Sequence, residues 1–319
     1  MLTTRSVAGA LSLTLMLTAA TIAHAQNFPV RPIRVYTAEA GGANDFTSRL
    51  IAQGVSASTG QQMIVDNRPE LIGIQAVAKA APDGYSVIVS GSGFWLGPLI
   101  QKMPYDPIAD FSPVTMLVRS PLLLTVHPSV PANSVQELIA LAKAKPGTLN
   151  YGSSPTGSSS HLAGELFKYM AGVDIVRVIY KGNGPALNDM LGGRVQLMFI
   201  AAGVLTPHLN TGRLKALAVT TAEPTALFPN LPTVAASGVP GYESVSVVGM
   251  FAPAKTPPAI IMALNQDVVR VLSSPEVKQK LAVSGVEAVG NSPEEMLSWM
   301  KAEMTRISKL VQAVGIRVE

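Results

Sequence analysis

The chain contains no cysteine. That excludes disulfides, thiolate chemistry and a lipid-modified cysteine at an export cleavage site. Histidine is scarce: His24, His127, His161 and His208 are scattered, with no His-x-x-x-His spacing, so no metal site and no cofactor are expected. No Gly-x-Ser-x-Gly elbow is present. Ser153, Ser158 and His161 do cluster, which leaves a serine hydrolase as a remote alternative. In so serine-rich a loop, satisfied hydroxyls and a capping or packing histidine are the default. An excess of one charge is also missing: 24 basic residues face 20 acidic ones, for a formal net charge of +4. No basic stripe or aromatic-interleaved basic patch occurs, so no nucleic-acid partner is expected. Beyond the N-terminus no apolar run approaches the length of a spanning helix.

What is present begins with an export signal. Arg5 precedes an apolar run from Val7 to about Ala20, and Ala23-His24-Ala25 is a small-x-small cleavage pattern. Residues 1–25 therefore read as a signal peptide, and removing those 25 from 319 residues leaves 294. That length suits one large domain or two medium ones. The expected location is the periplasm, free of the membrane. A mean hydropathy of +0.32 reflects the leader and an interior rich in Ala, Val and Leu.

Strand and helix patterns alternate along the remainder. Ile33–Tyr36, Ile64–Asn67, Ser86–Ser90, Leu122–Val126, Ile175–Tyr180, Val195–Ile200 and Ala216–Thr220 read as strands. Ser134–Glu137 and Ser292–Glu295 have the spacing of capping boxes, each opening a helix. Another helix starts close to His161, and Gly184-Pro185 opens one with proline at its first position. Strands separated by helices argue for α/β architecture with parallel sheets, whose ligands sit beyond the carboxyl ends of the strands.

Three loops lie in such places: Glu39–Asp45, Gly152–Ser160 and Lys181–Pro185. The first is Glu39-Ala40-Gly41-Gly42-Ala43-Asn44-Asp45, between a β-branched strand and a helix. Free N–H groups in a helix's first turn bind anions without a charged side chain, and glycines let the backbone approach a ligand. Asn44 or Asp45 would cap the helix.

Many further segments, in order, match one family. They include Pro29–Arg34, Gly41–Asp45, Asp66-Asn67-Arg68-Pro69, Ala78–Tyr85, Pro104–Pro107, Asp110–Val114, His161–Phe167, Tyr180-Lys181-Gly182, Gly184–Leu187 and Leu231–Val234. On these segments the chain resembles the Bug/TctC family, the extracytoplasmic solute receptors of tripartite tricarboxylate transporters. The resemblance implies a two-lobe fold similar to periplasmic binding proteins, with mixed, mostly parallel sheets flanked by helices and a ligand cleft between the lobes. One lobe would take residues 26–125 and 248–319, the other 126–247, with crossovers near Leu123–Val126 and Val247–Phe251. It implies a monomer that captures a small carboxylate and passes it to membrane permease subunits. Presentation of the closed form to a membrane sensor kinase is the alternative. Backbone amides of two loops would hold the carboxylate. The implied ligand residues are Glu39, Ala40, Gly41, Gly42, Asn44 and Asp45 from one loop and Ser153, Ser154, Thr156, Gly157, Ser158 and His161 from the second. Lys181, Gly184, Pro185 and Asp189 would form the far side.

Four features depart from the family pattern. Thr37-Ala38-Glu39 replaces the usual Pro-Phe and brings an acid to the first loop. If Glu39 faces the cleft it repels a second carboxylate on the ligand; if it faces solvent it does not. Glu70-Leu71-Ile72 replaces most of a glycine-rich stretch, and Pro155 removes one N–H from the second loop. Phe94-Trp95 stands where smaller residues are common and would either wall a pocket or pack within a lobe.

Overall fold

The structure is a computed structural model that describes residues 28–316, apart from 39, 42, 203, 204, 206, 207 and 210. The expected signal peptide, Glu39 and Gly42 therefore lie outside the described residues. The first half opens with β1 (Ile33–Thr37), α1 (Ala43–Thr59), β2 (Met63–Asn67), α2 (Glu70–Ala78) and β3 (Ser86–Gly91). β1 lies between β2 and β3 and is parallel to both, with Ile33 opposite Met63 and Arg34 opposite Ser86. A short helix, α3 (Gly93–Leu96), leads through a 3₁₀ turn towards the 16-residue strand β4 (Phe111–Val126).

The second half repeats the alternation with α4 (Val135–Ala144), β5 (Asn150–Ser153), α5 (Ser159–Ala171), β6 (Val176–Ile179), α6 (Asn183–Leu191), β7 (Leu197–Ala201) and β8 (Lys215–Val219). β5 is parallel to both β6 and β7. The chain then returns through β9 (Val245–Pro253) and ends in α7 (Pro258–Ser273), α8 (Pro275–Val283), β10 (Glu287–Ala288) and α9 (Pro293–Val314). The strand order is β2-β1-β3-β9-β4-β7-β5-β6. Each wing is parallel, and the junction is antiparallel.

β4 joins the wings by changing partners. From Phe111 to Pro121 it pairs with β9, and from Leu122 to Val126 with β7 and β8. Sequence reading recovers only the second part, because Pro113 and Pro121 interrupt the first. Proline cannot donate to a ladder, and here the register shifts just after Pro113 while Pro121 ends the pairing with β9. The Leu122 N–H beyond it donates to Thr220 Oγ1 at 2.9 Å. The long strand exists because β9, distant in sequence, supplies its partner.

Period-two alternation sorts the strand side chains into cores on opposite faces. Val87 and Val89 pack with Ile51, Leu264 and Val268, while Ile88 packs with Trp95 and Phe251. Phe94 and Trp95 are fully buried in this second core. The Phe94 ring lies 4.6 Å from Phe251 and 4.9 Å from Phe111, and Trp95 meets Trp299 edge-on at 5.9 Å. The pair packs in the interior, and neither residue lines the cavities described below. α9 opens on the expected capping box: the Glu295 N–H donates to Ser292 Oγ, and the Ser292 N–H donates to the Glu295 carboxylate. At α4 only half of the box forms, since Glu137 accepts from the N–H of Asn133 instead of Ser134. α6 begins two residues earlier than the sequence suggests, with Pro185 third.

Candidate functional site

The ends of β1, β3, β5 and β6 carry their loops to one cleft. A cavity of about 330 Å³ lies there, lined by Asn44, Glu70 and Gly91–Gly93 from the first half and by Gly157–Ser160 and Asn183 from the second. Ser244–Ser246 of the returning chain, Glu303 and Ile307 of α9 and the apolar Leu96, Leu122, Leu162 and Ala201 complete the lining. A groove of about 540 Å³ continues past Glu70, Gly93 and Gly157 towards Tyr105. A more apolar pocket of about 400 Å³, lined by Gly41, Ala43 and Phe46, adjoins at Ala201 and Ser246.

The first loop is shaped by a buried acid. Asp45 accepts the Gly41 N–H at 2.9 Å, the Asn67 amide at 2.8 Å and Arg49 Nε at 2.9 Å. Burial pushes its carboxyl up, but Arg49, Gly41 and Asn67 outweigh that and hold it below the usual range. Asn67 also donates to the Ala38 carbonyl, which gives the Asp66–Pro69 motif its structural role. Gly41 takes φ +87°, a region that favours glycine. Asp45 thus fastens the loop, and Asn44 is the residue of this loop that reaches the cavity. Ala40 is exposed, and Gly41 faces the adjoining pocket.

The second loop is stapled from behind by Arg177, a β6 residue that sequence reading passed over. Its guanidinium donates to Ser153 Oγ at 2.8 Å, Thr156 Oγ1 at 3.2 Å and the Ser154 carbonyl at 3.0 Å. Ser154 donates its N–H to Ser160 Oγ and its hydroxyl to Asn183 Oδ1. Ser158 caps α5, accepting the His161 N–H at 3.4 Å. His161 is buried, and its Nδ1 accepts the Gly157 N–H at 3.1 Å. Burial, aided by the charges of Arg177 and Lys168, pushes its pKa down to about 3, so it is neutral. The Ser154 and Gly157 amides are thereby spent inside the loop. Ser159 and Ser160, the first two residues of α5, line the cavity, and N–H groups at those positions have no acceptor within the helix.

Of the expected residues, Asn44, Gly157 and Ser158 meet at the cavity, and Thr156 lines the adjoining groove. Ser153, Ser154 and His161 build the loop behind them. Lys181, Gly184 and Pro185 are exposed and outside the lining, where their neighbour Asn183 stands instead. Asp189 accepts from Tyr180 and Arg194, away from the cavity. Sequence reading missed Ser92 and Gly93, although Ser90-Gly91-Ser92-Gly93 after a strand is the same signal as the other loops. It also missed Glu303, which interrupts the apolar stripe Met296, Met300, Ile307 and Leu310 on α9.

Among the described residues, Glu70 and Glu303 are the charged side chains lining this cavity, and no Lys, Arg or His joins them. Glu70 accepts the Ser90 hydroxyl at 2.6 Å. Glu303 is 6% exposed; it accepts Trp95 Nε1 at 3.3 Å and has Arg306 3.6 Å away. Burial pushes its carboxyl up to about 7, against the opposing pull of Arg306 and Trp95.

Residues 47–316 match the family model for the tripartite tricarboxylate transporter family receptor, TctC. Protein BugT of Bordetella pertussis is 33% identical over 302 residues, covering 92% of this chain and 93% of that one. The structure of R. palustris Rpa4515 with adipate is similar at a TM-score of 0.77 and 39% identity, over 91% of this chain and 99% of that one. The periplasmic binding protein BugD gives a TM-score of 0.74 at 30% identity, over 92% and 100%. Matches that run through both wings and the strands between them make the chain a member of the TctC/Bug family of periplasmic solute-binding receptors.

Proposed function

We propose that this receptor captures a small organic acid in the cavity between its two halves and delivers it to the membrane subunits of a tripartite transporter. The observation that carries the reading is the 330 Å³ cavity, with the start of α5 at Ser158–Ser160 on one side and Ser92-Gly93 on the other. The first-turn amides and the helix dipole favour a carboxylate there. The adipate bound by the relative Rpa4515 is a solute of this kind.

In this reading residues 26–125 and 248–319 form one lobe and 126–247 the other, after removal of residues 1–25 at export without a lipid anchor. The partner change of β4 at Pro121/Leu122 supports that division. A solute bonded to both lobes favours the closed arrangement, so binding shifts the population towards it. The chain acts as a monomer without turnover. The bonding of His161 supports the last point: its Nδ1 is engaged by a backbone amide, and Ser158 Oγ serves as a helix cap.

A thermal-shift screen of carboxylates on the mature chain tests the reading. A solute at a hundred times its dissociation constant adds about 2.7 kcal/mol. Stabilisation by a small carboxylate, with a smaller radius of gyration by X-ray scattering, is expected. No response to any carboxylate would sink it. Co-purification with permease subunits from membranes tests the delivery step; capture of a sensor-kinase ectodomain instead would assign the alternative role.

A further inference from the structure

We infer that the solute carries an ammonium group as well as its carboxylate, with Glu70 as the partner of the ammonium. The inference rests on the receptor reading above and concerns the charge preference of that same cavity.

A receptor for a dicarboxylate has two negative groups to balance. The start of α5 can serve one of them. Among the described residues the lining offers the second no cationic side chain: its charged side chains are Glu70 and Glu303, both acidic. Two guanidinium groups that bond beside lining residues are already engaged. Arg177 is bonded to the loop it staples, and Arg306 is turned to Glu303 and the Glu243 carbonyl.

Glu70 is placed to act on a solute. It is the first residue of α2, follows Pro69 and is exposed to the cleft. Both Glu70 and Gly157 line the cavity and the adjoining groove, so the acid stands across the cleft from the loop that leads into α5. One oxygen accepts from Ser90, and no basic side chain pairs with it among the described residues. A second solute carboxylate near it meets repulsion, whereas an ammonium gains a charge-assisted hydrogen bond. Glu303, the other acid of the lining, brings no positive charge to a second carboxylate either. At about 330 Å³ the cavity falls within the range of small-molecule sites, enough for a solute of six carbons.

Calorimetry with four six-carbon probes tests this: adipate, hexanoate, 6-aminohexanoate and norleucine, each on the wild type and on Glu70→Gln. Glu70 lies at an exposed helix start, so the substitution leaves the fold intact. The expected result is that one of the amino-bearing probes binds the wild type at least tenfold more tightly than adipate and hexanoate. Glu70→Gln should remove most of that preference. Adipate binding as tightly as the amino-bearing probes, hexanoate matching them, or a preference unchanged in Glu70→Gln would each overturn the inference. Binding by none of the four, where other carboxylates do bind, would also overturn it. No response to any carboxylate would overturn the receptor reading itself.

Discussion

Replacing Glu303 with glutamine should stabilise the protein at alkaline pH and leave it unchanged in acid. Burial pushes the Glu303 carboxyl up to about 7 in the folded chain from its ordinary 4.5. Below 4.5 the group is protonated in both states and has no net effect. As the pH rises through this window, the unfolded chain ionises freely while the folded chain either keeps its proton or buries a charge. The folded state therefore loses stability with rising pH until about 7, and the deficit stays constant above that. The gap corresponds to roughly 3 kcal/mol. Glutamine keeps an oxygen to accept from Trp95 Nε1 and removes the charge. It also removes the acid beside Arg306, whose guanidinium still donates to the Glu243 carbonyl. Allowing for that loss, the midpoint of thermal unfolding should rise by roughly 3–6 °C at pH 8 and by less than about 1 °C at pH 4.5. Calorimetry of both proteins across this range measures it. Destabilisation that is larger at pH 8 than at pH 4.5 would refute the reasoning, since it would mean that Arg306 makes the ionised carboxylate a net stabiliser.

His161 should act in the opposite sense: with a folded pKa of about 3 against 6.5, its neutral form supports the fold at neutral pH, and that stability is lost as the pH falls from 6.5 towards 3. His161→Gln should flatten the acid limb of a melting-temperature profile, and an unchanged limb would contradict the assignment; between 4.5 and 6.5 the Glu303 slope opposes it. Gly157→Ala should weaken solute binding, because φ is +86° there and a Cβ would sit 3.2 Å from Ile100 Cδ1 across the cleft. The left-handed conformation costs about 1–2 kcal/mol, and Ile100→Ala should restore part of the affinity measured by calorimetry; wild-type affinity in the single variant would remove this loop from the site. Asp45→Asn should cost about 1–3 kcal/mol in urea unfolding by weakening three contacts of a buried acceptor, and a neutral result would show that the first loop does not need that carboxylate.

The fold was legible where local pattern and tertiary demand agree. The run Ser86–Ser90 and the signal at Ser292–Glu295 are examples, because a buried strand and a capped helix announce themselves within a few residues. The first part of β4 was hidden, since its prolines argue against a strand and only the distant β9 makes one. The site divides in the same way. Glycines and hydroxyl residues after strands marked the loops that meet at the cavity. Which atoms face the solute was less legible, because side chains in those loops turn inward to hold the backbone, as Asp45, Ser153 and His161 do. Asn183 was missed by one or two residues, because helix α6 starts earlier than Pro185 suggests. Glu303 is 233 residues from Glu70 in sequence, and only α9 packing against α3, β4 and α5 brings it to the cleft.

The most direct test of the central claim is a crystal structure of the mature chain with the tightest-binding carboxylate of the screen. The account predicts the solute carboxylate at the first-turn amides of Ser159 and Ser160, between Ser158 and Asn183 on one side and Ser92-Gly93 on the other. A solute bound outside this cleft, for example in the separate surface pocket beside Gly54 and Arg270, would contradict it.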